Sequence, residues 1–353
     1  MRLKFGIAVA GTHGKTTTTS MIAQVLAIAG LDPTVIVGGK VDFLGSNAKF
    51  GHGEFLVAEA DESDGSFLKL SSVLNVVTNI DNDHLEFYGQ MESLRRAFLD
   101  FANKVPYYGC NILCADNREV RNLLPLITKP CITYGFGAKP EGSMYPHLRI
   151  VDYRQSVAGI EYTLEREGHI IGQFKLNVLG MHNALNATAC YAIANEVDIG
   201  LADIQAGLAQ FIAVRRRFEN KGSFKGAQWI DDYAHHPTEV MATLQAARAL
   251  GKNRVIVVFQ PHRYSRTQVC WNQFPTAFLG ADRVYLCDIY EAGEKPIEGV
   301  NSELLAKCIN NSVYSGSLEA TAAVVAKDLN DGDLIISMGA GSITKFSDLV
   351  RAI

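Results

Sequence analysis

The segment Gly11-Thr-His-Gly-Lys-Thr-Thr17 follows the apolar run Phe5–Ala10 with no spacer and opens directly into the helical pattern Thr16–Ala29, which Gly30 is placed to end. A buried strand, a glycine-rich turn and a helix start, in that order, leave few folds open to the chain. Glycines let main-chain N–H groups curl around an anion, and the first turn of the helix adds unpaired donors and a favourable dipole. Lys15 has the reach to meet the outer phosphates of a nucleotide, and a hydroxyl from Thr16 or Thr17 can ligate Mg²⁺. The match to the usual phosphate loop is partial. That pattern wants a glycine five residues before Gly14, where Val9 stands, so the loop is a shortened Gly-x-x-Gly-Lys-Thr form.

Around this turn the first half of the chain alternates short apolar runs with helical patterns. Phe5–Ala10, Thr34–Val37, Phe55–Ala60, Val73–Ile80 and Asn111–Ala115 read as strands buried on both faces, which favours a parallel sheet. Gln90–Asn103 reads as a helix. From Leu148 to Val178, polar/apolar alternation broken at Gly159 and Gly168 predicts an antiparallel meander, followed by helices at His182–Glu196 and Leu201–Phe211. A second α/β period begins near Arg215. Its strands are expected at Gln228–Ile230, Arg254–Phe259, Arg283–Cys287 and Leu334–Met338, and its helices at Pro237–Ala249, Ser302–Asn310 and Leu318–Leu329. The expected architecture is therefore α/β throughout. Residues 1–214 would form a central, P-loop ATPase-like, mostly parallel sheet with an antiparallel β appendage, and residues 215–353 a Rossmann-like α/β domain.

Composition narrows the function classes. A chain of 353 residues, 48% of them apolar, can bury two cores. A net charge of −4 with both signs well mixed gives no general attraction to nucleic acid or to an anionic membrane, so an anionic ligand needs local positive groups. No apolar run approaches the roughly 20 residues of a membrane helix, and a strand starting at Phe5 leaves no room for a signal peptide. The seven cysteines are odd in number and scattered, with no Cys-x-x-Cys pair, so reduced core thiols in a cytoplasmic protein are expected.

Two acidic clusters stand at predicted strand C-termini: Ala58-Glu-Ala-Asp-Glu-Ser-Asp64 after Phe55–Val57, and Asn79-Ile-Asp-Asn-Asp-His84 after Val73–Thr78. In an open parallel sheet that edge is also the edge of the phosphate loop. Carboxylates beside a triphosphate repel it unless a cation lies between, and Mg²⁺ needs few protein ligands because it keeps several waters. Glu59 and His84 are the expected ligands, with Thr16. For Asp61, Glu62, Asp64, Asp81 and Asp83, solvated loop charge or capping is an equal alternative.

Taken in order, Gly11–Thr17, Ala58–Phe67, Thr78–Glu86, Leu179-Gly-Met-His-Asn-Ala-Leu-Asn186, Arg216-Arg-Phe218, Asp231-Asp-Tyr-Ala-His-His-Pro237, Gln260-Pro-His-Arg-Tyr-Ser-Arg-Thr267 and Met338-Gly-Ala-Gly341 resemble the Mur ligase family, in particular its alanine-adding branch. The resemblance covers nearly the whole chain. It implies an ATP- and Mg²⁺-dependent ligase that joins L-alanine to the carboxylate of UDP-N-acetylmuramate through an acyl phosphate, in building peptidoglycan precursors. It assigns ATP contacts to Gly11, Thr12, His13, Gly14, Lys15, Thr16 and Thr17, to His182, Asn183 and Asn186 around adenine, and to Arg217 and Asp232. Lys15, His84 and Arg217 would be catalytic, with Arg217 reaching the γ-phosphate from the domain junction. Tyr233, His235, Arg263 and Arg266 would meet the substrates. If their stretch is helical, Arg263 and Arg266 share a face.

Two departures from the family pattern stand out. Phe98 occupies the place where many relatives carry a carbamylated lysine, so no such ligand is expected. The uridine-gripping domain with which family members normally begin is also expected to be missing, which implies ATP binding with weak ligation. A murein-peptide recycling ligase and a nucleotide-binding fragment without ligase activity are the alternative readings.

Overall fold

The computed structural model describes Met1 and residues 3–41, 46–137 and 146–353. The chain divides into two compact units, Met1–Val214 and Arg215–Ile353.

Among the described residues the first unit holds ten strands: β1 (Phe5–Ala10), β2 (Thr34–Val41), β3 (Ser46–Lys49), β4 (Phe55–Glu59), β5 (Leu74–Val77), β6 (Cys110–Cys114), β7 (Cys131–Gly135), β8 (Leu148–Ser156), β9 (Gly159–Arg166) and β10 (His169–Leu176). They form one sheet in the order β10-β9-β8-β7-β6-β5-β1-β4-β2-β3. Strand β1 lies between β4 and β5 and is parallel to both, with Ile7 opposite Val57 and Val9 opposite Val76. Three strand C-termini are thereby brought to one edge: the turn at Gly11, Glu59, and the segment that starts at Thr78.

Alternation along β1 explains its burial on both faces. Ile7 and Val9 pack with Met21, Ile22 and Val25 of the Lys15–Ile28 helix and with Ala184, Ala187 and Cys190 of the Met181–Glu196 helix. Ala8 and Ala10 face the opposite layer, where Phe67, Phe98 and Phe101 meet. Phe98 lies fully buried there, its ring 5.3 Å from that of Phe67, so the position that resemblance marks for a modified lysine is part of the core.

The predicted meander is present, as the antiparallel strands β8, β9 and β10. It is more closely joined to the core than the sequence suggested. Strand β7, which the pattern did not reveal, pairs in parallel with β6 and, through Tyr134 and Gly135, with β8. Central sheet and appendage are one continuous sheet.

In the second unit, β11 (Glu219–Phe224), β12 (Ala227–Asp232), β13 (Val255–Phe259), β14 (Arg283–Cys287), β15 (Ser312–Gly316) and β16 (Leu334–Met338) are ordered β11-β12-β16-β13-β14-β15. Every pairing is parallel except that of β11 with β12. Val255, Val257 and Phe259 pack with Ile230, Leu244, Phe274 and Phe278. On the other face Ile256 and Val258 join Trp229, Tyr285 and Phe346. The doubly wound expectation is met here. All seven cysteines are unbridged. Among the described residues no helix is long and apolar enough to cross a membrane.

Candidate active site

The turn after β1 is shaped by glycine geometry. Gly11 (φ 131°) and Gly14 (φ 85°) both adopt positive φ, which other residues reach only with strain. Space enforces the same choice. A Cβ at Gly11 would run into Thr78 Oγ1, and one at Gly14 would lie 2.8 Å from Asn186 Oδ1. Helical geometry begins at Lys15 immediately after Gly14, with no side-chain cap, so its first N–H groups point into the turn.

The segment after β5 clamps the turn. Asn79 accepts from the His13 N–H through Oδ1 (2.8 Å) and donates to the His13 carbonyl through Nδ2 (2.9 Å). Thr78 Oγ1 donates to the same carbonyl at 2.7 Å, and the Thr12 N–H donates to Asn79 O at 3.1 Å. The Asp81 N–H donates to Thr12 Oγ1, and the His13 ring lies 3.2 Å from Asp81 Oδ2. Asn79 was not among the residues predicted from sequence. The sequence placed its segment at the edge of the loop, but that its amide meets His13 follows from the register of β5 beside β1, which no local pattern carries.

Asn117 supports this clamp from behind. Its Oδ1 caps the Arg118–Leu123 helix through the Val120 N–H (3.0 Å) and also accepts from the Ile80 N–H (3.3 Å). Asn117→Ala therefore removes a cap and leaves Ile80 unsatisfied. We expect it to cost about 1–2 kcal/mol in a urea titration, the range for loss of such caps.

Of the two threonines that open the helix, Thr16 is the one that reaches an acid. Its Oγ1 donates to Glu59, 2.9 and 3.1 Å from the two carboxylate oxygens, whereas Thr17 is buried in the helix. Glu59 Oε2 also accepts from the Gly38 N–H at 2.7 Å. His84 stands at the start of the Leu85–Tyr88 helix with φ 59°, its Nε2 3.9 Å from Glu62 Oε1 and 3.8 Å from Asp83 Oδ2. Thr16 and Glu59 meet directly and offer the oxygen donors that suit a hard divalent cation, whereas His84 has Glu62, Asp83 and Glu86 as its acidic neighbours.

Glu62 departs most from the solvated reading. It is 1% exposed and lies 2.8 and 3.0 Å from Lys15 Nζ through its two oxygens. Burial pushes its carboxyl above the usual range, and the Lys15 ammonium opposes that rise. Neighbouring acids do behave as capping groups: Asp61 accepts from the Ser63 N–H, Asp64 from Ser66 and Asp83 from His84. The signal for Glu62 was available in principle, since a lysine in a phosphate turn needs a counter-ion when no phosphate is bound.

At the start of the Met181–Glu196 helix, Asn183 donates to Leu179 O (2.7 Å) and Asn186 donates to Asn183 Oδ1 (3.2 Å). His182 is exposed at the same end. The contact of Asn186 with Gly14 brings this helix start against the turn.

In the second unit, Asp232 is buried and both its oxygens are taken by main-chain donors, Phe218 (2.7 Å) and Ala234 (2.8 Å). It orders the Arg216–Phe218 turn, in which Arg216 and Phe218 both have positive φ. Arg217 pairs with Glu239 at 3.3 Å and lies over the Tyr233 ring at 5.3 Å. His235 Nδ1 is 3.2 Å from Glu239 Oε2, and its ring centroid is 6.0 Å from that of His262. The condition for a shared helical face, that both Arg263 and Arg266 lie in a helix, is not met. Arg263 (φ 69°) precedes the Tyr264–Val269 helix, and Arg266 lies inside it against His262 Nδ1 at 3.1 Å.

Burial raises the Asp232 carboxyl to about 6 from an ordinary 3.8, with Arg217 and the two N–H donors opposing the rise. The folded state thus holds this proton where the unfolded chain has lost it. Stability from this group is highest below pH ~4 and falls as pH rises to about 6. The loss is roughly 3 kcal/mol for a displacement of about two pH units. Urea midpoints for the wild type should fall more steeply across that window than those of Asp232→Asn.

A parallel sheet whose central strand feeds a glycine turn of phosphate-loop form, with acids at the neighbouring strand ends, followed by a second doubly wound unit, places the chain among two-unit α/β proteins of the nucleotide-binding kind. The Mur ligase middle domain matches residues 9–194, and the Mur ligase glutamate ligase domain matches residues 216–341. The chain belongs to the Mur ligase family, whose members are ATP-dependent ligases. It is 46% identical to the UDP-N-acetylmuramate–L-alanine ligase of Geotalea daltonii, covering 97% of this chain and 75% of that protein. Among solved structures, the UDP-N-acetylmuramate–alanine ligase of Thermotoga maritima superposes with a TM-score of 0.81 at 28% identity, over 99% of this chain and 75% of that one. A murein peptide ligase from Psychrobacter arcticus shares the fold, with a TM-score of 0.69 at 20% identity over 100% of this chain and 78% of that one.

Proposed function

We propose that the chain acts in joining L-alanine to the carboxylate of UDP-N-acetylmuramate at the expense of ATP. Residues 1–214 would serve as the ATP-binding domain and residues 215–353 as the amino-acid-side domain of a cytoplasmic ligase. The observation that carries this reading is the glycine turn held open by Asn79 and Thr78 at the start of the Lys15 helix, with Thr16 and Glu59 beside it. Identity of 46% to an alanine-adding relative supports this substrate over a murein peptide.

A carboxylate is a poor acyl donor because oxide would have to leave. Attack of a substrate carboxylate oxygen on the γ-phosphorus expels ADP and forms an acyl phosphate. The alanine amine then attacks the carbonyl carbon, loses a proton, and the tetrahedral intermediate collapses with release of phosphate. Phosphoryl transfer needs little covalent help, so the protein's part is positioning and charge neutralisation. Main-chain donors from Gly14 to Thr17 and the Lys15 ammonium would hold the phosphates. Asn183, Asn186 and His182 would face adenine. Mg²⁺, held by Thr16, Glu59 and His84, would neutralise the phosphate charge. In the second unit the same reading gives ATP contacts to Arg217 and Asp232, the latter by ordering the Arg217 turn. Tyr233, His235, Arg263 and Arg266 would serve the acyl and amino-acid substrates.

The test is ADP formation by the chain with UDP-N-acetylmuramate, comparing L-alanine with a tripeptide as the second substrate. Dependence on alanine is expected. Release driven only by the tripeptide overturns the substrate assignment, and ATP bound without either dependence favours a nucleotide-binding module.

A further inference from the structure

Lys15 is the residue a nucleotide most needs, yet its ammonium is already engaged. An ammonium has three donors. Here Nζ meets Glu62 Oε1 at 3.0 Å, Glu62 Oε2 at 2.8 Å and Thr12 O at 3.4 Å. The pair is withdrawn from water, with side-chain exposures of 12% for Lys15 and 1% for Glu62. Glu62 is also the fixed partner. Its carbonyl accepts from Tyr88 Oη at 2.6 Å and from the Gly65 N–H at 3.0 Å, which pins its segment across the loop. Lys15, on a long flexible stem, is the partner able to move.

We propose that Glu62 is a positioning residue that latches Lys15 while no nucleotide is bound, its carboxylate standing in for a phosphate that must displace it. The proposal rests on the phosphate-binding reading of the Gly11–Thr17 turn and adds the competitor built into it. Both ligands of Lys15 are anionic oxygens, so the ammonium exchanges one for the other, and the affinity seen is the difference between the two interactions. After the exchange, Glu62 faces the His84 ring, 3.9 Å away. The latch also keeps the ammonium from being an unpaired buried charge, which is costly.

Two measurements on the whole chain test this. The first is ADP affinity by calorimetry in a chelator, so that no metal contributes. The second is the rate at which an amine-acylating reagent modifies Lys15 without nucleotide, read by peptide mass spectrometry. Glu62→Gln keeps the size and removes the charge. It should bind ADP about tenfold tighter, within the range of ordinary coupling between sites. It should also expose Lys15 to acylation several-fold faster, with ADP restoring protection. Glu62→Asp keeps the charge but shortens the reach, and should shift both readouts the same way by less. It serves alone should Glu62→Gln fail to fold. A folded variant with unchanged or weaker ADP binding, or with tighter binding but unchanged Lys15 reactivity, overturns the latch. Failure of the wild type to bind ADP would instead overturn the nucleotide reading, while the acylation rates would still report on the Lys15–Glu62 contact.

Discussion

Lys15→Ala should lose most ATP binding and lower ligation by a factor on the order of 10²–10³, the usual consequence of removing one electrostatic contact to a charged transition state. The same substitution should weaken the fold. It strands Glu62, 1% exposed, without the cation that compensates it. Breaking one side of a buried pair typically costs about 3–5 kcal/mol. The two effects separate in the double variant Lys15→Met/Glu62→Gln, which removes both charges. Urea midpoints should recover toward wild type there, while ATP binding and ligation stay low. Recovery of ligation together with stability would show that Lys15 only holds the loop.

The second large effect is expected at Gly11. Gly11→Ala would require φ near 131°, a region costly for an L-residue, and would press a methyl group onto Thr78 Oγ1 with Asn79 O only 2.9 Å away. Backbone strain of this kind costs of order 1–3 kcal/mol. Relief would push the turn away from the Asn79 clamp, breaking the Thr12 and His13 N–H bonds to Asn79, and so re-aim the helix start at Lys15. Displacement of positioning groups by about 1 Å can cost about 10²-fold in rate. The expected result is a modest fall in melting temperature with a fall in kcat/KM of that size. A variant with both unchanged would mean that the turn tolerates a different path.

Much of the fold was legible because it rests on local pattern. Phe5–Ala10, Arg283–Cys287 and Leu334–Met338 have the predicted bounds, since each is an apolar run closed by a charge or a glycine. The strands that escaped notice are β3, β7, β11 and β15. Glu219–Phe224 and Ser312–Gly316 are polar edge strands whose sequences resemble loops, as protected edges should. At the site, the sequence placed Lys15, Thr16, Glu59 and His84 at one strand edge because motif and topology agree. It did not separate Glu62 from Asp61 and Asp64. Which acid of a cluster is buried depends on what lies across the loop, and a residue 47 positions earlier decides that. Asn79 was hidden for the same reason. Whether Arg263 belongs to the helix stayed open because helix starts are set by turns, here one in which the Arg263 N–H donates to Tyr290 O at 2.8 Å.

Asn186 and Gly14 touch across a gap that leaves no room for another carbon atom. The two positions therefore share one volume, and over evolutionary time they should drift only as a couple. A lineage that gains bulk at 14 must both move or shorten the side chain at 186 and re-form the left-handed turn there. Divergent versions of this chain should accordingly show a size trade-off linking the turn to the Met181–Glu196 helix.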